Sequence, residues 1–368
     1  MKLLEFIKGH KDWKELLKES PFFLNVKEEN DYVLLKYNQF NSDFNNPIVK
    51  ECRGIILKSI RNKDWVVVCH AFDKFFNYGE QYADNIDWST ARVQEKIDGT
   101  IMKLWYDDNS WKLSTNSCID AYKTDLNINE LLKVNCPFST FGELFENAEN
   151  YSDIKFDELN KDYTYIFELV SPYNKVVIEY PKIIINHIGT RNNITHQELE
   201  VDIGVIKPKE YKISTLEECV KAASNLPSNA EGYVVVDNNW NRIKVKNPIY
   251  LQLHRMISNN QLKTEDILNM LFENEQEEFL SYFPEYRESF NKVRLALINL
   301  KAHLENTYKK IKEDLSDSYT QKEFAFKVMS MDKANSNYYF CKEKGIDTDD
   351  WIQRLSKDSL VKKLTIKN

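Results

Sequence analysis

The stretch Glu95-Lys96-Ile97-Asp98-Gly99 places a lysine one β-branched residue ahead of an Asp-Gly pair, and Lys96 is the residue best suited to covalent chemistry. A free lysine amine has a pKa of about 10.4, so near neutral pH only about one molecule in a thousand is unprotonated and nucleophilic. A nucleophilic lysine therefore needs neighbours that disfavour its proton, and nearby positive charges do so. Candidate cations are spaced along the chain. Arg53 precedes Gly54, where a ligand could approach the backbone, and Lys74 stands among Phe72, Phe75 and Phe76. Lys244 and Lys246 lie two residues apart, which on a strand points them the same way about 6–7 Å apart. Two such charges repel unless a polyanion lies across them; the bland alternative is a solvated edge strand. Two carboxylates complete the set. Glu168 sits in Thr164–Val170, where Ile166, Glu168 and Val170 share one strand face, so it is either an edge residue in water or a buried acceptor with a partner. Glu231 precedes Gly232 at the start of another strand.

Composition limits what these residues can serve. With 368 residues the chain can bury a large core and is expected to divide in two, because single cores seldom grow beyond about 250–300 residues. Apolar content of 42% with 9 Gly and 9 Pro argues against disorder. No apolar run approaches the roughly 18 residues of a membrane helix, and Met1–Glu19 mixes Leu3, Leu4, Phe6 and Ile7 with lysines, which reads as one amphipathic helix and not as a signal peptide. The six cysteines are dispersed without zinc spacing, which predicts reduced thiols in a cytosolic compartment. The net charge of −7 gives no whole-domain attraction for nucleic acid, and residues 252–368 carry 19 Lys+Arg against 19 Asp+Glu. A polyanion must then be held by a local cluster of cations.

The elements that position the chemistry follow from pattern. Strands are expected over Tyr32–Tyr37, Glu51–Leu57, Trp65–His70, Thr164–Val170, Lys175–Tyr180, Ile183–Ile188, Tyr233–Val236 and Arg242–Lys246, with a loop over Asn38–Pro47. Ala91–Tyr106 reads as strand, Asp-Gly hairpin turn and strand, with Val93, Ile97, Ile101 and Leu104 in the core, and Trp111–Thr115 pairs back. From about Leu251 the pattern turns helical: Thr264–Glu273, Gln276–Tyr282, Tyr286–Leu315, Thr320–Met331 and Asp349–Leu364. In the long helix Phe290, Val293, Leu297, Leu300, Leu304 and Ile311 form one apolar stripe, and Thr320-Gln321-Lys322-Glu323 has capping-box form. The fold class expected is α+β: a domain of antiparallel sheets flanked by helices over residues 1–251, then a smaller all-α domain over 252–368.

Taken together, Arg53-Gly54, Lys96-Ile97-Asp98-Gly99, Phe167-Glu168, Glu231-Gly232 and Lys244-Val245-Lys246 resemble, in order and rough separation, the motifs of the covalent nucleotidyltransferases, the superfamily of DNA ligases, RNA ligases and mRNA capping enzymes. Glu51-Cys52-Arg53-Gly54, Lys74-Phe75-Phe76-Asn77, Phe167 to Lys175 and Tyr250 look like the phage tRNA-repair type of ATP-dependent RNA ligase, over essentially the whole chain. One departure stands out: where that family often has a basic residue and a glycine, this chain has Thr115-Asn116, with Lys112 the candidate substitute.

The resemblance implies three steps. Lys96 attacks the α-phosphate of ATP to give lysyl-AMP and pyrophosphate, AMP passes to a 5′-phosphorylated RNA end, and a 3′-hydroxyl then displaces AMP. Arg53, Lys74, Lys244 and Lys246 would surround the phosphates with Mg²⁺ (or Mn²⁺), while Asp98 and Gly99 belong to the nucleotide-binding motif. Glu168 would hold the ribose or a metal, Glu231 would position metal, Tyr37 and Tyr250 would touch nucleotide or phosphate, and Glu277 is a further metal candidate. By the same resemblance, residues 1–251 would be the adenylyltransferase domain and the helical domain would help recognise a nicked tRNA anticodon loop. No G-x-x-x-x-G-K-[ST] segment is present, which implies a separate end-healing polynucleotide kinase and phosphatase. The protein is expected to be a monomer away from membranes, in the host cytoplasm if viral. Two other readings stay open: a lysyl-nucleotidyl enzyme acting on DNA or mRNA caps, and a non-catalytic RNA-binding relative.

Overall fold

The computed structural model describes every residue except 40, 61–63, 125, 127–135, 175–177, 228, 249–261, 274–275, 283–285, 316–317 and 365–368. Its chain divides into two compact units, Met1–His254 and Arg255–Asn368.

Three sheets build the first unit. One has the order β1 (Leu24–Glu29), β2 (Tyr32–Tyr37), β3 (Arg53–Ser59), β4 (Trp65–Cys69), all antiparallel. The second contains β7 (Thr100–Asp107), β8 (Ser110–Thr115), β9 (Tyr163–Val170), β10 (Ile184–Asn192) and β11 (Glu198–Leu199), in the order β11-β10-β9-β7-β8. The third contains β5 (Phe76–Asn77), β6 (Arg92–Glu95), β12 (Glu210–Tyr211), β13 (Gly232–Val236) and β14 (Arg242–Lys246), in the order β12-β6-β13-β14-β5. Pairing is antiparallel apart from β14 with β5, where Ile243 and Lys244 lie beside Phe76 and Asn77. The fold class is α+β.

Each sheet has its own apolar packing. Leu3, Ile7, Trp13 and Leu17 close the first sheet against Val33, Leu35, Ile55 and Leu57. Tyr165, Phe167 and Leu169 of β9 pack with Leu144 and Phe145 of the helix Phe141–Glu146. Val235, Ile243 and Val245 pack on Cys219 and Ala223 of the helix Leu216–Ser224. Leu34 and Ile56 join the first sheet to Trp105 of the second. Full burial of such side chains contributes about 1.5–3 kcal/mol each. The alternation expected of β14 holds: Ile243 and Val245 enter this core while Lys244 and Lys246 take the other face.

The hairpin expected at Asp98-Gly99 does not form. β6 pairs with β12 and β13, whereas β7 pairs with β8 and β9, so Lys96–Gly99 crosses from one sheet to the other. The backbone bonds explain why. Lys96 N–H donates to the Gly232 carbonyl at 2.9 Å, Gly99 N–H donates to Glu168 Oε1 at 3.1 Å, and Asp98 Oδ2 accepts from Ile178 N–H at 2.8 Å. Val93 and Leu104 accordingly lie in different cores, and Ile97 and Ile101 line a cavity instead of either.

Other expectations are corrected more locally. The first helix is two, Lys2–Gly9 and Trp13–Lys18, broken after Gly9 where His10 is extended. Glu51 does not open a strand: it ends the helix Pro47–Glu51, capped by Asn46, and its carboxylate accepts the backbone N–H groups of Lys2 and Leu3 at 2.9 and 2.8 Å. Of the strand expected over 175–180, residues 175–177 lie outside the described residues and Ile178–Tyr180 are not a strand. All six cysteines are free.

The second unit is helical among its described residues. The stripe from Phe290 to Ile311 is buried along the helix Arg287–Glu313, and the Thr320–Glu323 capping box is formed. The helix expected over 349–364 is two, Thr348–Arg354 and Lys357–Lys363, because Ser356 caps the second, and Ser336–Glu343 is a helix that the pattern did not reveal. No helix among the described residues is long and apolar enough to cross a membrane.

Gly54 tests the packing at the start of β3. Its φ is +79°, and a Cβ there would lie 2.5 Å from the Asn116 carbonyl oxygen. Gly54→Ala is expected to destabilise the protein by about 2–4 kcal/mol, from left-handed strain plus overpacking, read as a lower urea midpoint with an unchanged slope.

Candidate active site

A cavity of about 510 Å³ opens between the second and third sheets. Gln94 and Glu95 of β6, Val234 of β13 and Lys244 of β14 line one wall, Thr100 and Ile101 of β7, Glu168 of β9 and Ile188 of β10 the other. Lys96, Ile97 and Gly99 bridge the walls, and Arg53 of β3 also faces the space.

Lys96 Nζ lies 2.6 Å from Glu231 Oε1, and Lys246 Nζ lies 3.7 Å from the same oxygen. The Lys96 side chain is 19% exposed and Glu231 is 4% exposed, so the amine reaches the cavity while its partner is buried behind it. The ladder produces this grouping. Gly232 is opposite Lys246, Lys96 N–H bonds to Gly232 O, and the left-handed Gly232 (φ +143°) lets β14 approach closely: a Cβ would meet the Val245 carbonyl oxygen at 2.3 Å. Glu231 Oε2 is buried with no hydrogen-bond partner among the described residues. An orphaned buried carboxylate oxygen is costly and suits a hard cation, so this donor fits Mg²⁺ or Mn²⁺. Among the described residues no three His, Cys, Asp or Glu side chains converge on a metal position. Mg²⁺ commonly takes one or two carboxylates and completes its shell with water and substrate phosphates.

Burial pushes the Glu168 carboxyl up to about 8; Glu231 and Asp98 add to the rise while Lys96 and Arg53 oppose it. Burial, followed by the charges of Lys74, Arg53, Lys96 and Lys246, holds the Lys244 ammonium well below its ordinary value. Burial would raise the Tyr37 phenol, but Lys74, Arg53 and Lys36 bring it below its ordinary value.

Arg53, Lys96, Gly99, Glu168 and Lys244 thus share one cavity, with Glu231 and Lys246 behind the amine. Lys74 stands beside them: its Nζ lies over the rings of Tyr37, Phe44 and Phe76 at 5.4, 5.7 and 5.2 Å, and its charge reaches Lys244. Asp98 is turned from the cavity and ties the crossing segment to Ile178. Lys112 is not a substitute for the basic residue missing at Thr115-Asn116: Thr115 and Asn116 line this cavity, but Lys112 lies 5.8 Å over Tyr32 in another. Tyr250 lies outside the described residues. Glu277 belongs to the second unit, 3.9 Å from Arg287.

Two positions escaped the sequence reading. Lys103 is fully buried on β7 and donates to the Gly54 carbonyl, next to Arg53 on β3. Arg242, on the same face of β14 as Lys244 and Lys246, is 7% exposed, pairs with both oxygens of Glu198 at 3.2 and 2.8 Å, and stacks on Phe72 at 4.3 Å. The two-residue period that revealed Lys244 and Lys246 also reaches Arg242.

Comparison with known proteins bears on the family of the chain. The family described as RNA ligase matches residues 51–250, the span that contains the cavity. The chain belongs to the RNA ligase family. An RNA ligase of Rhodothermus phage RM378 is 25% identical over 405 residues, covering 92% of this chain and 90% of the phage protein. A protein of Autographa californica nuclear polyhedrosis virus, whose name joins a polynucleotide kinase to an RNA ligase, is 30% identical over 278 residues. That match covers 70% of this chain but only 38% of the viral protein. Among solved structures, an archaeal ATP-dependent RNA ligase is similar with a TM-score of 0.44 at 11% identity, over 98% of this chain and 79% of that one.

Glu168 gives this family member a pH signature. From 4.5, the ordinary carboxyl value, to about 8 the folded protein keeps a proton that the unfolded chain has released, so stability falls as pH rises through that window. Glu168→Gln removes the dependence. Its melting temperature is expected to exceed that of the wild type at pH 8, with the gain vanishing by about pH 5; a gain of equal size at both ends would refute the assignment.

Proposed function

We propose that the chain is an ATP-dependent RNA ligase that joins 5′-phosphate to 3′-hydroxyl ends through a lysyl-AMP and an adenylylated RNA, with tRNA repair as its setting. The observation that carries the reading is the Lys96 amine at a nucleotide-sized cavity, 2.6 Å from a buried carboxylate and beside Arg53 and Lys244, in a chain of the RNA ligase family.

In the first step the Lys96 ammonium gives up a proton, for which Glu231 Oε1 is the adjacent acceptor or relay, and the N–P bond forms as the bond from the α-phosphorus to the β-phosphate oxygen breaks. Arg53, Lys74, Lys244 and Lys246 stabilise charge on the transferred group and the departing pyrophosphate. Glu231 and Glu168 would hold a divalent cation, which would further neutralise the phosphates. Glu168 would otherwise meet the ribose, and Tyr37 acts through its contact with Lys74. The apolar surfaces of Ile97, Ile101, Ile188 and Val234 suit the faces of adenine.

The setting in tRNA repair, and the assignment of residues 252–368 to tRNA or RNA recognition after an adenylyltransferase domain over 1–251, rest on the resemblance of the motifs. So do a place for Tyr250 near the nucleotide and for Glu277 near a metal, and a monomer working in a host cytoplasm. A kinase and phosphatase that prepare the ends are part of the same reading. The viral relative, whose name includes a polynucleotide kinase, supports that pairing of activities.

Incubation with α-labelled ATP and Mg²⁺ followed by denaturing electrophoresis tests the chemistry. Label is expected to stay with the wild-type protein and to be lost in Lys96→Ala. Label from GTP alone would instead indicate capping, and no label from either nucleotide would refute lysyl-nucleotide chemistry. With 5′-phosphorylated RNA and nicked DNA offered together, ligation of the RNA is expected; exclusive sealing of the DNA would overturn the substrate assignment.

A further inference from the structure

A second cavity, of about 590 Å³, adjoins the first: Phe75 and Arg242 line both. Its volume falls within the roughly 300–1,000 Å³ usual for small-molecule sites. Three carboxylates line it as well: Asp73 paired with Arg191 at 2.8 Å, Glu198 paired with Arg242 at 2.8 Å, and Asp84 accepting the Arg242 backbone N–H at 3.1 Å. Lys50 and Lys74 add positive charge beyond these pairs, and among the described residues neither has a carboxylate partner; Lys50 lies 5.5 Å over Phe76 and Lys74 over three rings. Trp240 offers an aromatic surface and His196 a ring whose Nδ1 is buried without a hydrogen-bond partner among the described residues.

The backbone supports a binding role for these two. Trp240 and His196 both adopt left-handed conformations, at φ +64° and +62°, which bulky residues rarely hold unless the surroundings impose them. Trp240 is held in a turn whose Asp237 carboxylate accepts the N–H groups of Asn239 and Asn241 at 2.9 and 3.0 Å. His196 is held by its carbonyl, which accepts from Arg191 Nε at 2.9 Å. Two residues with left-handed backbone on separate turns thus line one cavity.

The in-line course of phosphoryl transfer says what arrives there. In the proposed first step pyrophosphate leaves on the side opposite the Lys96 nitrogen. In the second, an oxygen of the RNA 5′-phosphate attacks the same phosphorus, the P–N bond breaks, and the amine recovers its proton, so the RNA phosphate must enter from the side that pyrophosphate left. In the reading above the pyrophosphate leaves towards the cations that hold the phosphates, and of these Lys244 lines the first cavity while Lys74 lines the second and its charge acts on Lys244. We infer that the second cavity receives the 5′-terminal nucleotide of the RNA, its phosphate led in along Lys74 and Lys50 and its base resting on Trp240. The inference rests on the lysyl-AMP reading above. It adds a subsite for the polynucleotide, distinct from the nucleotide cavity.

The experiment separates the two steps in the full chain. Trp240→Ala, Trp240→Phe, His196→Ala and Lys50→Gln are each measured for self-labelling by α-labelled ATP, and then for transfer of AMP to a 5′-phosphorylated oligoribonucleotide, with urea melts to verify folding. Trp240→Ala is expected to raise KM for the RNA about tenfold, the scale of one lost base–aromatic stack, with Trp240→Phe restoring most of it. His196→Ala is expected to raise the same KM, and Lys50→Gln to weaken RNA binding while reducing its salt dependence by about one ion. In all four, KM for ATP and the yield of labelled protein stay at wild-type values. An unchanged KM for RNA in folded Trp240→Ala and His196→Ala overturns the inference, as does an equal rise in KM for ATP, which would make the cavity part of the nucleotide site. A wild-type protein that takes no label at all removes the lysyl-AMP reading itself, and the subsite with it.

Discussion

The Glu231 carboxylate, buried between the ammonium groups of Lys96 and Lys246, is the interaction on which the cavity depends. An unpaired carboxylate at that depth would cost several kcal/mol, and removing either partner of a buried pair leaves the other charge stranded. Three strands meet to satisfy it. β13 brings Glu231 through Gly232, β14 brings Lys246 opposite that glycine, and β6 leads directly into Lys96, whose own N–H bonds to the Gly232 carbonyl. The ladder and the ion cluster are therefore one arrangement: a shift of register in β13 would turn Glu231 away from both lysines.

The remaining charges are tempered in opposite senses. Burial and neighbouring cations disfavour the charged form of Lys244, and burial disfavours that of Glu168. Both shifts move the cavity towards neutrality while no ligand is bound, which lowers the cost of keeping so many ionisable groups in one enclosure. A polyphosphate beside Lys244 and a divalent cation beside Glu168 would each favour the charged form again. Binding and ionisation are thus coupled at both walls.

Much of this was readable from the residues in order. Lys244 and Lys246 were assigned to one face because a strand repeats every two residues, and the face is the one predicted. The stripe from Phe290 to Ile311 likewise follows from helical spacing alone. The failures share a cause: local pattern does not say which strand a segment joins. Asp98-Gly99 has hairpin chemistry, but β6 takes its partners β12 and β13 from far along the chain while β7 pairs with β8 and β9, which divides the two strands between sheets. Arg242 was passed over because its meaning depends on Glu198, Phe72 and Phe75, none of them near it in sequence. Lys103 reads as an ordinary strand lysine until Gly54 is seen above it. The Glu231 partnership with Lys96 was equally hidden, since the sequence suggested only cations around the amine.

Because Lys96–Gly99 runs from a strand of one sheet to a strand of another, it has no slack. Each residue spans at most about 3.3–3.6 Å, and the segment is tethered at Lys96 N–H, at the Asp98 carboxylate and at Gly99 N–H. A turn such as 108–109 ends on neighbouring strands of one sheet, and its length can drift without moving a wall of this cleft. The four-residue bridge instead sets the width of the cleft, so that insertion or deletion of even one residue there would change the spacing between the amine and the groups it faces across the gap.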